Sequence, residues 1–223
     1  MSTVQGGQGN IVTNGLILNL DAANPRSFAQ PYNGTIWTDL SGNGNNGTLT
    51  NGPTFNNGNG GSIVFDGVDD ISVHSSSLYV DNFTLSAWVY KTSSGTQTII
   101  AKGTSGFILN FYLRIGGNSG FWGTNSVFTE LAISDLTLST WNNTVLIYDR
   151  TSLRYYLNGI YINQTLATNI PSSTTSNLIV GRLGDFNGQY WTGRIAQTSI
   201  YNRALNASEV LQNFNATRAR FGV

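Results

Sequence analysis

The chain has 223 residues, a length that suits one all-β domain with a large core. Its formal net charge is zero and only 10% of its residues are charged, so it has no basic surface with which to bind nucleic acid. It has no cysteine and one histidine, which excludes disulfides, thiolate chemistry and a metal site built from several histidines.

The chain begins with a polar, glycine-rich stretch, and we predict an N-terminal arm over residues 1–14, followed by one domain over residues 15–223. The start shows no basic segment leading into an apolar run, so no signal peptide is predicted and synthesis in a host cytoplasm is expected. No window is apolar enough for a membrane span, so membrane insertion is not expected.

Apolar patterns and turn residues predict many short strands along the chain. A first strand is expected within residues 11–20, and a short one at residues 47–50 inside a long Gly- and Asn-rich loop. Later strands are expected at residues 83–90, 96–101, 107–115, 127–133, 141–148, 178–180 and 193–201. Residues 116–123 are predicted to form a glycine-rich turn that carries Phe121 and Trp122.

Two stretches predict β-hairpins. Residues 61–73 contain Asp66-Gly67 between two apolar runs, and residues 153–163 contain Asn158-Gly159 in the same setting. Glycine accepts the positive φ that tight hairpin turns require, so both stretches are expected to pair with themselves.

One helix is predicted near the C-terminus. Asn206 is a suitable N-cap, Glu209 completes a capping box, and Leu205 can pack on Val210 as a hydrophobic staple. Val210, Leu211 and Phe214 are expected to form its apolar face. The predicted fold class is therefore all-β: an antiparallel β-sandwich or jelly roll with one short C-terminal helix.

Three carboxylates, Asp66, Asp69 and Asp70, lie within a span of five residues inside the first predicted hairpin. They have two interpretations. The side chains accept hydrogen bonds from turn amides, or they supply hard oxygen ligands to a calcium ion whose shell is completed by loop carbonyls. Calcium is the only cofactor that the sequence suggests, and the structural interpretation is favoured.

The aromatic residues divide into two groups. Trp88, Trp141, Tyr156 and Tyr201 follow strand patterns and are expected in the core. A second group lies in Gly- and Asn-rich segments, where the rings are candidates for packing against the C–H faces of sugars: Phe121, Trp122, Phe186, Tyr190 and Trp191. The alternative for each of these is that the ring closes an end of the sandwich.

Six segments in consistent order resemble the laminin-G-like subset of the concanavalin A-like lectin/glucanase superfamily. They are residues 61–73, Phe83-Thr-Leu-Ser-Ala-Trp88, Ile99-Ile-Ala-Lys-Gly103, Tyr156-Leu-Asn-Gly159, Leu178-Ile-Val-Gly-Arg182 and Tyr201-Asn-Arg-Ala-Leu-Asn-Ala-Ser-Glu-Val210. The resemblance implies two curved antiparallel sheets that bind glycans or proteins, often with calcium. At the positions where family members commonly carry an acidic pair, this chain has Ala196 and Gln197, which puts calcium there in doubt.

Two further segments, Gly15-Leu-Ile-Leu-Asn-Leu-Asp21 and residues 38–47, resemble versions of the domain found in tailed-phage structural proteins. This resemblance implies a decoration protein on the virion surface, with other capsid or tail proteins, cell-surface glycans and a second copy of the chain as candidate partners. The N-terminal arm is expected to add a strand to a neighbouring protein.

Catalysis is not expected. The related glucanases carry their acidic residues as Glu-x-Asp-x-Glu on one strand, whereas this chain has two glutamates, Glu130 and Glu209, and neither has an acidic residue two positions away. The favoured function is therefore a non-catalytic virion surface module with a role in glycan adhesion. A free-standing lectin-like module is the alternative, and a glycoside hydrolase is the least favoured reading.

Overall fold

The structure is a computed structural model that describes residues 10–29, 33–74, 78–103, 108–184 and 188–223. Its strands form two antiparallel sheets of eight strands each, which confirms the predicted β-sandwich with one C-terminal α-helix. Within these ranges, no helix combines the length and the apolar character that crossing a membrane requires.

The first sheet has the strand order β14-β13-β12-β7-β16-β5-β4, and β1 also pairs with β16. Its strands are β1 (Leu16–Asp21), β4 (Thr54–Asn56), β5 (Ser62–Asp66), β7 (Phe83–Lys91), β12 (Trp141–Tyr148), β13 (Ser152–Leu157), β14 (Ile160–Leu166) and β16 (Thr192–Tyr201).

The second sheet has the strand order β11-β10-β9-β8-β15-β6-β3-β2. Its strands are β2 (Ile36–Trp37), β3 (Gly47–Thr50), β6 (Ile71–His74), β8 (Gln97–Gly103), β9 (Leu109–Ile115), β10 (Gly117–Trp122), β11 (Phe128–Ile133) and β15 (Leu178–Val180).

The main core lies between the two sheets, where alternate residues of each strand point inward. Phe83 of the first sheet packs against Phe111 and Phe121 of the second, with ring centroids 5.7 and 6.2 Å apart. All three rings are fully buried, so they belong to the packing that holds the sheets together.

The helix α1 (Ala207–Thr217) covers part of the outer face of the first sheet. Its capping box forms as predicted, because Asn206 accepts a hydrogen bond from the Glu209 amide and Glu209 accepts one from the Asn206 amide. Leu211 does not belong to the apolar face, since 47% of its surface is exposed. Helices of three and four residues at Gly58–Gly60 and Arg218–Phe221 complete the fold.

The outer face of the first sheet contains the aromatic residues that were expected in the core. Phe214 of α1 and Phe221 stack on Trp88, with ring centroids 5.7 and 4.1 Å away, and Phe221 also contacts Trp141. Tyr156 and Tyr201 are buried nearby in the cluster around Leu205 and Val210. The prediction that these four aromatic residues are buried is confirmed. They lie in the clusters on the outer face of the first sheet, not in the core between the two sheets.

The predicted hairpin around Asn158-Gly159 is confirmed. It joins β13 to β14, and both turn residues have positive φ, 51° for Asn158 and 76° for Gly159, as a type I′ turn requires. Gly159 also lies against Phe214, where an added Cβ would be only 2.9 Å from the ring.

The prediction that residues 61–73 pair as a hairpin is wrong. β5 pairs with β4 and β16 in the first sheet, whereas β6 pairs with β3 and β15 in the second. The Asp66-Gly67 turn therefore carries the chain from one sheet to the other. Turn residues specify a change of direction, but whether the flanking strands pair with each other depends on the rest of the fold.

The prediction that residues 116–123 form a turn is also wrong, because Gly117–Trp122 is the strand β10, paired with β9 and β11. Glycine is used there for close packing of backbone. An added Cβ on Gly120 would lie 1.9 Å from the Thr129 carbonyl oxygen, so a larger residue would not fit the ladder.

Candidate functional site

The strand register brings a set of side chains together on the outer face of the second sheet. Phe111 and Leu113 of β9 point into the core, so the intervening Tyr112 points outward. Tyr112 is paired with Ala101 of β8 and with Gly120 of β10, and Gly120 is paired with Glu130 of β11. Because directly paired residues share a face, Glu130 lies on the same outer face as Tyr112.

An aromatic platform lies two residue pairs further along β10 and β11, on the same face. Trp122 is paired with Phe128, and their rings meet edge to face with centroids 4.6 Å apart. Phe128 also meets the ring of Tyr112 edge to face at 6.4 Å. Trp122 and Phe128 remain half-buried while they pack on a small apolar cluster formed by Ala101, Leu109, Tyr112 and Leu183. Two aromatic rings are therefore supported from below and accessible from outside.

Polar groups are fixed beside this platform. One carboxylate oxygen of Glu130 accepts a hydrogen bond from the Tyr112 hydroxyl, and the other accepts one from Asn118 Nδ2 at 2.9 Å. Arg114 Nη2 lies 3.8 Å from Glu130 Oε1. Burial and the hydrogen bond to Glu130 raise the pKa of Tyr112, so its hydroxyl remains a donor. Glu130 is thus a carboxylate held in one position next to exposed aromatic surface.

A third element borders the same face. Gln189 accepts hydrogen bonds from the Thr98 amide at 2.9 Å and, through Oε1, from Arg114 Nη1 at 3.0 Å. The neighbouring Tyr190 lies under the Arg182 guanidinium, 5.8 Å from ring centroid to Cζ. We call the whole set the outer-face patch: Tyr112, Arg114, Asn118, Trp122, Phe128, Glu130, Arg182, Gln189 and Tyr190.

A cleft of about 380 Å³ adjoins the patch where β10 begins and β11 ends. Asn118 lines it together with Gly116, Gly117 and Asp135. Lys91 is fully buried and donates to Asp135 and to the Gly95 carbonyl, which fixes the loop at this end. Although burial raises the pKa of Asp135, the hydrogen bonds from Lys91 and the Gly95 amide hold it below the usual value.

The five aromatic residues predicted to bind a glycan do not share one place. Trp122 and Tyr190 lie on the outer-face patch, and their role in binding remains a prediction. Phe121 and Trp191 are fully buried in the core between the sheets, so the expectation that their rings are exposed is wrong. They point inward because strand alternation places Phe121 opposite to Trp122, and Trp191 packs in the main core. Phe186 lies outside the described residues.

No sequence pattern indicates that the other members of the patch bind a ligand. Tyr112 and Phe128 occur in ordinary strand patterns, and the sequence suggests Glu130 only as a candidate for catalysis. Alternation within β9, β10 and β11 indicates which residues share a face, but not which face is free. The strand register is the information that brings Arg114, Asn118 and Glu130 together.

The three aspartates lie together at the turn between the sheets, with one oxygen from each within 4.8 Å of the others. Asp66 Oδ1 accepts from the Val68 amide at 2.8 Å, and Asp70 Oδ2 accepts from the Asp66 amide at 3.0 Å. The Val68 bond is the main reason that the pKa of Asp66 is lowered, whereas burial raises that of Asp70. These contacts support the structural interpretation.

The same residues also fit a cation. Asp66 and Asp70 each have a second carboxylate oxygen, and the exposed Asp69 accepts no hydrogen bond through its side chain from the described residues. Carboxylate oxygens at this spacing suit calcium, which also takes backbone carbonyls and water. The calcium prediction for Asp66, Asp69 and Asp70 therefore remains a prediction. Ala196 and Gln197 occupy the positions of the acidic pair that family members commonly carry. Ala196 is fully buried, and Gln197 donates a hydrogen bond to Asp21.

The two sheets form a concanavalin A-like β-sandwich, and the outer face of the second sheet carries the half-buried rings of Trp122 and Phe128. A family model described as the concanavalin A-like lectin/glucanases superfamily, from the laminin G group, matches residues 65–211. The match covers more than half of the chain, and the protein belongs to this family. A comparison of the sequence with curated proteins finds no match.

Solved structures share the fold at low sequence identity. Domain 4 of AbnA, an extracellular arabinanase from Geobacillus stearothermophilus in complex with arabinotriose, is 16% identical with a TM-score of 0.64, and the match covers 89% of this chain and 97% of that domain. The receptor binding domain of botulinum neurotoxin type G is 19% identical with a TM-score of 0.63, and the match covers 90% of this chain and 51% of that one. Trypanosoma rangeli sialidase in complex with sialic acid is 18% identical with a TM-score of 0.63, and the match covers 92% of this chain and 33% of the sialidase chain.

Proposed function

We propose that the protein is a non-catalytic carbohydrate-binding module and that its ligand lies on the outer-face patch. The observation that carries this proposal is the half-buried pair Trp122 and Phe128, with an accessible ring surface, beside the fixed carboxylate of Glu130. Part of the outer face of the first sheet is covered by α1, whereas this part of the second sheet presents accessible rings.

The patch supplies the two kinds of contact that a sugar needs. The apolar C–H face of a sugar ring packs on Trp122 and Phe128, and its hydroxyl groups donate to Glu130. Asn118 and Arg114 supply N–H donors next to the same carboxylate. Because Tyr112 and Asn118 already hold Glu130 in place, little side-chain freedom is lost when a ligand binds.

The arrangement of carboxylates supports binding without hydrolysis. Glycoside hydrolysis needs two carboxylates that flank the bond to be cleaved. Glu130 is the only carboxylate among the described residues of the patch, and Asp135 at the neighbouring cleft is bound to Lys91. Glu209 pairs with Arg203 and caps α1.

Support also comes from the structural neighbours, since the fold is shared by an arabinanase domain with bound arabinotriose and by 33% of the chain of a sialidase with bound sialic acid. The test is a glycan array probed with the wild-type protein and with Trp122→Ala. We expect binding to at least one glycan and its loss in the variant. Tyr161→Ala, which removes an aromatic ring that is 48% exposed on β14, is the matched control and should bind normally.

We further propose a place on the virion surface, which rests on the resemblance of residues 15–21 and 38–47 to phage structural proteins. These two segments form one unit, because Asp39 accepts from the Asn19 amide at 2.9 Å and Asn45 donates to the Ile17 carbonyl at 2.7 Å. Co-sedimentation with assembled particles tests this proposal, and deletion of residues 1–9 tests whether the arm attaches the module. A protein that never co-sediments with particles would contradict it.

A further inference from the structure

Arg182 differs from the other charged residues of the outer-face patch. Its Nε donates to the Gly184 carbonyl at 2.8 Å, and its guanidinium lies over the ring of Tyr190. None of the six ion pairs among the described residues includes Arg182. The side chain is therefore held in one orientation while its positive charge has no carboxylate partner in the described part of the chain.

Its position borders the aromatic platform. The next residue, Leu183, packs in the same apolar cluster as Ala101 and Tyr112, on which Trp122 and Phe128 rest. On the other side, Gln189 links the Tyr190 segment to Arg114 through a hydrogen bond of 3.0 Å. A ligand that covers the platform thus meets Arg182 at its edge.

Among the described residues of the patch and its cleft, Arg182 carries the one positive charge that no carboxylate opposes. Arg114 lies beside Glu130, and Lys91 at the neighbouring cleft is paired with Asp135. A guanidinium is planar and carries paired N–H donors that match the two oxygens of a carboxylate. With Nε already bound to Gly184, the two terminal nitrogens of Arg182 are the donors left for a ligand.

We propose that the glycan is acidic, and that a carboxylate on one of its sugar units binds Arg182 while a sugar ring lies on Trp122 and Phe128. This inference rests on the proposed function and adds the chemical class of the ligand. Sugars that carry a carboxylate, such as uronic and sialic acids, meet the requirement.

The experiment measures binding to immobilised polygalacturonate, alginate, hyaluronan and polysialic acid. Each polymer is compared with its carboxyl-reduced form, which keeps the hydroxyl-rich chain but has no charge. The proteins are wild type, Arg182→Gln, Trp122→Ala and, as a control with the same charge change at an exposed position, Arg26→Gln. Titrations at low and high salt follow for any polymer that binds, because screening weakens an exposed charge contact.

We expect at least one acidic polymer to bind about tenfold more tightly than its reduced form. Arg182→Gln should remove this preference and leave the weaker binding to the reduced polymer, which Trp122→Ala should abolish. Arg26→Gln should match wild type.

Equal binding to the acidic and reduced forms, with loss only in Trp122→Ala, would overturn the acidic ligand and leave the proposed function standing. Dextran sulfate is measured alongside as a sulfated polymer without carboxylates, and tighter binding to it than to every carboxylated polymer would also overturn the acidic ligand. No binding to any charged or neutral polymer would count against both proposals.

Discussion

Acidification should destabilise the protein through its single histidine. His74 is buried in the second sheet, with Nδ1 3.0 Å from the Asn45 carbonyl and Nε2 3.0 Å from Ser72 Oγ. Because a carbonyl only accepts hydrogen bonds, Nδ1 carries the proton and Nε2 accepts from the Ser72 hydroxyl. The neutral ring is therefore fully satisfied, and protonation would place a charge in the interior.

The size of the effect follows from the pKa. Burial lowers the pKa of His74 from 6.5 to about 4, against smaller opposing effects of the Asn45 carbonyl and Asp39. The unfolded state takes up a proton first as the pH falls, so the stabilisation is complete above pH 6.5 and is lost toward pH 4. The difference between the two pKa values corresponds to about 3 kcal/mol of unfolding free energy.

Two measurements check this prediction. The chain has one histidine, so a single imidazole signal is followed by NMR from pH 7 to 4, and it should not titrate until close to pH 4. Urea unfolding over the same range should show a steeper loss of stability for wild type than for His74→Gln, which lacks the titrating group. An imidazole that titrates near pH 6.5, or parallel stability curves for the two proteins, would refute the reasoning.

Three further predictions concern stability. Asp66→Ala should lower the unfolding free energy by about 1 kcal/mol because the Val68 amide loses its acceptor, whereas Asp69→Ala should leave it nearly unchanged. Equal losses of stability in the two variants that appear only in calcium and vanish with EDTA would favour the metal site instead. Lys91→Met should lower the unfolding free energy by about 2 kcal/mol because Asp135 is left without its cation. Adding Asp135→Asn to that variant should restore part of the lost stability, and additive losses in the double variant would contradict the coupling. Asn206→Ala should lower the unfolding free energy by about 1 kcal/mol through loss of the cap, measured by urea denaturation, and an unchanged midpoint would contradict this role.

Local chemistry explains where prediction from the sequence succeeded. The capping box at Asn206 and the type I′ turn at Asn158-Gly159 depend on residues only a few positions apart, and both form as expected. The wrong predictions depend on distant contacts. The Asp66-Gly67 turn joins strands of different sheets, and the glycine-rich segment of β10 is a strand because β9 and β11 flank it.

The site was predictable only in part for the same reason. Glycine-rich surroundings make Trp122 a candidate for binding, but they do the same for Phe121, which is fully buried. Adjacent residues on a strand face opposite sides, so only one of the two can be exposed on a given face. Glu130 belongs to the outer-face patch because Gly120 pairs with Glu130 on one side and with Tyr112 on the other, and this pairing cannot be read from the sequence.

The most direct test of the central claim follows the indole N–H signals of the five tryptophans by NMR while a glycan identified on the array is added. Trp37, Trp88 and Trp191 are buried, whereas Trp122 is only half-buried on the outer-face patch, and Trp122→Phe assigns its signal. We predict that the Trp122 signal shifts on binding and that those of Trp37 and Trp191 stay in place. A bound glycan that leaves the Trp122 signal unchanged would contradict the assignment of the binding site.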